Sequence, residues 1–329
     1  MLVGEARAAA TTWVHDHSAT AYHTGSTTAL PDNAALPVGS DVDIAVVTDT
    51  PRQKPGKFLF QDVLLEVTYV TWQDLHNALG DYHLANGLRT NTIIADPTGA
   101  LGPLQAKVAH HFADPTWLRH RCEHAKSRVQ QGLHNITPST PWPSQVMSWL
   151  FPTGITTHVL LVAAQQNPTV RLRYLKAKPL AGPLYPTLLT HLGCATWTPT
   201  QTRHHLAALA TTFDHTVPVS QTPFPYSSDI TEAARPIALD GCQALIDSGN
   251  HREAVFWLTA TFSRCHTILQ TDAPALHQDL SPAFDALLAD LGITGPADLQ
   301  ERAGQVLEFL PTVWTRAEEL MAGVGSASA

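Results

Sequence analysis

The spacing of apolar residues changes partway along the chain, from a mixture of short patterns to a long series near the helical period. Val3, Ala10 and Trp13-Val14 mark one face of a short helix over 3–16, and residues 19–24 read as a strand running into Gly25-Ser26. Thr27 to Ser40 holds two prolines, an Asp-Asn pair and a glycine, and reads as loop. The β-branched run VDIAVV over 42–47, bounded by polar residues, predicts a strand. PRQKPGK over 51–57 predicts a turn with three basic side chains, after which strand character resumes at 58–60 and 63–70 to make a hairpin. Thr71 with Asp74 three residues on has the form of a capping box opening a helix. A last short strand and turn over 93–99 closes a first domain, taken as residues 1–110.

Beyond it the strand signals fade. Leu104 to Gly132 carries an apolar or aromatic stripe at 104, 108, 112 and 118, interrupted at Pro115. STPWP over 139–143 breaks the chain, and helices are predicted over 146–166, 184–192, 200–213, 230–248, 252–269, 282–291 and 297–319. Pro- and Gly-rich separators lie at 178–183 and 221–226. Thr198-Pro199 and Ser281-Pro282 have the form of an N-cap followed by a first-turn proline. The expected fold class is α+β: a small mixed β-sheet domain, then an all-helical bundle over 111–321 and a flexible tail over 322–329.

Composition narrows the classes of function. At 329 residues the chain is long enough for two ordinary domains, and 44% hydrophobic with 15% charged residues describes a globular protein. A formal charge of -8 and no run of Lys or Arg argue against binding long nucleic acid. A carboxylate-lined cleft would instead concentrate a cationic small molecule. Cys122, Cys194, Cys242 and Cys265 lack any zinc-site spacing and read as reduced structural thiols of a cytoplasmic protein. The 18 histidines include the pairs His110-His111 and His204-His205, whose side chains would diverge by about 100° on a helix. They read as solvated or capping groups. The first ten residues lack the pattern of a leader, and no apolar run is read as approaching the length of about 20 residues needed to cross a bilayer, so no membrane is expected.

The chemistry-bearing residues cluster early. Asp41 and Asp43 stand two apart at a strand start, so both carboxylates point to one face and suit a hard cation such as magnesium. Glu66 sits in the apolar run Leu64-Leu65-Glu66-Val67, where an unpaired charge is costly. If its strand lies beside that of Asp43, three carboxylates converge and require a cation to offset their repulsion. Gly25-Ser26, following a strand, offers backbone N–H groups and a hydroxyl to phosphate. Lys54 and Lys57 lie on the adjacent turn, where either can steady a triphosphate.

The order Gly-Ser, loop, Ser-Asp-Val-Asp-Ile, hairpin, Glu resembles the nucleotidyltransferase superfamily related to DNA polymerase beta. With a helical half following, it is most similar to the aminoglycoside nucleotidyltransferases of the kanamycin type. The resemblance implies that Gly25, Ser26, Ser40 and Lys57 hold the nucleotide, and that Asp41, Asp43 and Glu66 are catalytic and bind two magnesium ions. It implies transfer of a nucleoside monophosphate from a nucleoside triphosphate, expected to be ATP, to a hydroxyl of a small acceptor such as an aminoglycoside-like antibiotic. Antibiotic resistance is the associated role, and a homodimer is compatible with it. Acceptor recognition falls to acids of the helical half, with Glu123, Asp229, Glu232 and Glu253 as candidates by residue type. Two departures stand out: a long stretch from Gly25 to Asp41, and Thr27-Thr28-Ala29 where the family often has Gly or Arg. The alternatives are an antitoxin-like regulator that adenylylates a protein, against which the extra helical residues argue, and a non-catalytic nucleotide binder.

Overall fold

The structure, a computed structural model, describes residues 1–327 and has an α+β architecture in which a small mixed five-stranded sheet precedes a helical region. Helix α1 (Val3–Asp16) leads into β1 (Ala21–Thr24), and β2 (Val42–Thr48), β3 (Gly56–Phe60) and β4 (Val63–Thr71) follow. Then come α2 (Trp72–His76), α3 (Tyr82–Leu88) and β5 (Ile93–Ala95). The strands are ordered β3-β4-β2-β1-β5, with β2 and β4 parallel and the other pairs antiparallel. Gln61 and Asp62 take φ of 48° and 61°, the positive values that a two-residue hairpin turn between β3 and β4 requires.

Alternation along the strands divides the sheet into two faces. Val42, Ile44 and Val46 of β2 with Val63, Leu65 and Val67 of β4 pack under Ala6, Ala9, Ala10 and Val14 of α1. On the other face Tyr22, Ala45, Val47 and Val70 are covered by α2, α3 and α4 (Leu101–His111), through Leu75, Ala85, Leu88 and Leu101. That cover stops short of the ends of the strands bearing Asp43 and Glu66, and there Leu64 packs against the core of the helical region.

The helical region comprises α5 (Pro115–His134), α6 (Trp142–Ala163), α7 (Arg173–Ala181), α8 (Tyr185–Leu192), α9 (Pro199–Thr216), α10 (Gly241–Asp247), α11 (His251–Asp272), α12 (Pro274–Asp290) and α13 (Pro296–Ala327). Helix α11 is buried at every position from Glu253 to Leu269, which makes it an axis of this region. Helix α6 is long and apolar enough to cross a membrane, contrary to the reading of the sequence, and 78% of that stretch is buried inside the protein. Its apolar surface is taken up by α5, α11 and α13, so it serves as a core helix. All four cysteines are buried and unpaired.

Prolines account for two of the differences from expectation. Lys178-Pro179 was a predicted separator, yet α7 runs through Pro179, and α12 begins at Pro274 and passes through Pro282. Ser281 is therefore not an N-cap; its hydroxyl donates to the His277 carbonyl at 2.6 Å inside the helix. A proline inside a helix costs about 3 kcal/mol, and packing of the flanking turns offsets it. The single helix predicted over 230–248 is instead a turn, a π-helical stretch Pro236–Asp240 and α10. The tail expected to be flexible over 322–329 is helical as far as Ala327, and residues 328–329 lie outside the described residues.

Candidate metal centre

Sheet register sets four side chains in one row. Thr24 of β1 pairs with Asp43 of β2, Asp43 with Glu66 of β4, and Glu66 with Lys57 of β3. Paired residues point to the same face, and Asp41, two residues before Asp43, points with them. One carboxylate oxygen each from Asp41, Asp43 and Glu66 lies within 4.8 Å of the others, and no other such group of His, Cys, Asp or Glu occurs among the described residues. The parallel pairing of β2 with β4 is what brings Glu66 to the aspartates. The adjacent-histidine pairs take no part in a cluster of this kind; His205 is buried against Asp290 at 2.8 Å.

Cations surround two of the three acids. Lys57 Nζ lies 2.6 Å from Glu66 Oε2, 2.7 Å from Asp229 Oδ1 and 3.4 Å from Asp41 Oδ2, with its side chain 7% exposed. Lys54, more exposed, donates to the other oxygen of Glu66. Lys57 is thus placed among carboxylates. Asp229, 172 residues away in sequence, is brought in because the turn Ser227–Asp229 packs directly on β3. A Cβ on Gly56 would lie 2.1 Å from Ser228 Oγ, so only glycine lets the two backbones approach this closely. Arg264 Nη1 of α11 holds the second oxygen of Asp229 at 2.9 Å, its guanidinium set among the rings of Phe151, Tyr226 and Trp257. Of the other acids named by type, Glu123 pairs with Arg119 on the surface, Glu232 is exposed, and Glu253 is buried between Lys178 and Tyr185.

This distribution polarises the site. Burial pushes Asp41 up to about 6, with Lys57 opposing and Glu66 reinforcing the shift. Burial would raise Glu66 too, but Lys57 and Lys54 hold it down to about 2. Asp43 is pushed well above the usual carboxylate range by burial and by the charges of Asp41 and Glu66. Among the described residues Asp43 has no ion pair. Lys57 would be lowered by burial, yet Asp229, Asp41 and Glu66 keep it raised and charged.

Gly25 borders the same acids. It has φ 73° and ψ -164°, and a Cβ there would lie 1.7 Å from Asp43 Oδ2. Ser26 is exposed and opens a 3-10 turn over Ser26–Ala29, which the Thr28 hydroxyl closes onto the Gly25 carbonyl at 2.9 Å. The long loop that follows is fastened to the N-terminus. Val3 N donates to Ala34 O at 2.9 Å and Gly4 N to Asp32 O at 3.0 Å, beside an isolated bridge between Leu2 and Ala35. Arg7 of α1 donates to the carbonyls of Thr27 and Leu30 and pairs with Asp32 at 2.6 Å. Ser40 ends the loop, its N–H donating to Pro37 O at 3.1 Å. Sequence reading missed Arg7 and Arg264, because a lone arginine on a helix carries no spacing signal for a partner distant in the chain.

Comparison with protein-family models, with curated proteins and with solved structures gives no match.

Proposed function

We propose that this protein is a magnesium-dependent nucleotidyltransferase that moves a nucleoside monophosphate from a nucleoside triphosphate, with ATP the expected donor, to a hydroxyl of a small acceptor. The observation that carries this reading is the convergence of Asp41, Asp43 and Glu66 within 4.8 Å beside the Gly25 turn. The donor set fits the metal: three carboxylates are hard oxygen ligands, which suit magnesium rather than a softer ion. Asp43, semi-buried and without a cation of its own among the described residues, is the group whose charge a bound ion would offset. Magnesium held there would supply charge neutralisation and activation of an attacking oxygen.

The chain's own groups have separable tasks in this reading. Asp41, Asp43 and Glu66 are the ligands, and the Gly25-Ser26 turn offers N–H groups and a free hydroxyl to phosphate. Glu66 accepts a proton only when Lys54 and Lys57 release it, since together they hold it near 2. Asp229 and Lys57 carry charge from the helical region and the sheet into the same space, where an acceptor would be oriented. An aminoglycoside-like antibiotic is the acceptor class that the family resemblance suggests.

Calorimetric titration of a non-hydrolysable nucleoside triphosphate analogue, with and without magnesium, tests the reading. Magnesium-dependent binding by the native protein, lost in Asp41→Asn/Asp43→Asn, is the expected result. No binding at millimolar nucleotide would sink the enzyme reading and leave a structural or partner-binding role for this face.

A further inference from the structure

The buried arginines of this protein have structural partners, with one exception near the loop that leads to Asp41. Arg121 donates to the carbonyls of Leu79 and Phe112, Arg173 to that of Val170, and Arg302 to those of His191 and Leu291. Arg264 pairs with Asp229. Arg171, semi-buried just ahead of α7, makes no hydrogen bond or ion pair among the described residues. An arginine that is partly desolvated yet unpaired forfeits hydration without recovering it in contacts, so its charge is left for something outside the chain.

Its surroundings place it near the loop that delivers Asp41. The guanidinium lies against the first residue of α10: a Cβ on Gly241 would come within 2.8 Å of Arg171 Nη1 and 3.3 Å of Cζ. The same Gly241 meets the loop that delivers Asp41, for a Cβ on Gly39 would lie 3.0 Å from Pro236 O and 3.4 Å from Gly241 Cα. Gly39 takes φ +71°, which turns the chain toward Ser40 and Asp41. Of the carboxylates, Asp41 is the one whose charge reaches Arg171, and the two form no ion pair. A cation near an acid with which it forms no ion pair can take an anion that a metal on that acid also binds.

We propose that Arg171 is a polyphosphate-binding residue, contacting the phosphates of a nucleotide held at the neighbouring Asp41. This rests on the reading of the carboxylates as a metal–nucleotide site. A planar guanidinium matches two phosphate oxygens at once, which a lysine in its place would not do. The helical region thereby supplies a contact to the donor as well as to the acceptor. Pyrophosphate and nucleoside triphosphate share the chemistry that Arg171 recognises, so both serve as probes.

The test is calorimetric titration of magnesium alone, magnesium pyrophosphate and the magnesium complex of a non-hydrolysable triphosphate analogue into native protein, Arg171→Gln and Arg171→Lys. Arg171→Gln is expected to melt like the native protein, having no partner to lose; should it fail to fold, Arg171→Lys carries the comparison. The expected result is a loss of about 10- to 100-fold in affinity for both polyphosphates, partial in Arg171→Lys, with magnesium binding unchanged. Unchanged affinity for both polyphosphates in Arg171→Gln would overturn the role of Arg171 and leave the metal–nucleotide reading standing. A loss confined to the nucleotide, sparing pyrophosphate, would overturn the phosphate contact as well. Native protein that binds magnesium but neither polyphosphate would overturn both.

Discussion

Replacing Gly25 with alanine tests the geometry of the acid cluster from its edge. At φ 73° and ψ -164° the backbone lies in a region open to glycine alone, and an alanine held there costs about 1–3 kcal/mol in strain. The new methyl would lie 1.7 Å from Asp43 Oδ2, 2.5 Å from Cγ and 2.9 Å from Cβ. Since ordinary carbon contacts begin near about 3.5 Å, the Asp43 carboxylate must move by more than about 1.5 Å or the turn must yield. Either movement takes a carboxylate out of a group whose oxygens lie within 4.8 Å. Misplacement by about 1 Å typically costs on the order of 100-fold in a positioned site. Gly25→Ala should therefore lower the melting temperature by several degrees and weaken magnesium binding toward that of Asp43→Asn, read by thermal unfolding and by calorimetry. Ser26→Ala, which removes only an exposed hydroxyl, serves as control and should stay within about 0.5 kcal/mol of the native protein. Gly25→Ala with native stability and native magnesium affinity would refute the reasoning.

Lys57→Met leaves Glu66, Asp41 and Asp229 without their shared buried cation and should destabilise the protein by about 3–5 kcal/mol, read as a lowered urea midpoint. Adding Asp229→Asn should recover part of that loss, so additive effects in the double mutant would count against the coupling. His266 is fully buried against Phe284, and burial with His277 nearby lowers it to about 3. Below the usual histidine value of about 6.5 the unfolded chain binds a proton that the native protein does not, so stability falls as pH drops from there toward 3. The loss from this group at pH 5 is about 2 kcal/mol, and His266→Phe should reduce the difference between urea midpoints at pH 7 and pH 5. An unchanged difference would mean that His266 is not the group responsible.

Local rules carried the sequence reading a definite distance. That Asp41 and Asp43 share a face follows from the two-residue period of a strand, and any fold containing β2 must honour it. The capping box at Thr71 and the N-cap of Thr198 ahead of Pro199 are likewise settled within four residues, and both are present. The hairpin of β3 and β4 is nearly as local. What a local rule cannot reach is which strand lies beside which. Glu66 joins Asp43 because β4 pairs with β2 in parallel, an arrangement in which Val63, Leu65 and Val67 are buried with α1. Prolines misled for the same reason: within a few residues they signal a break, yet α7 and α12 accommodate theirs because packing along the whole helix outweighs one lost hydrogen bond. The sequence places Lys57 on a turn where it can steady a triphosphate, whereas the fold sets it in β3 and brings Asp229, itself held by Arg264, from the helical region to engage it. The sequence alone thus determined which residue types occur and which face of each element they occupy. Tertiary structure decided their partners, because contacts between residues far apart in the chain depend on how all the apolar faces are buried together.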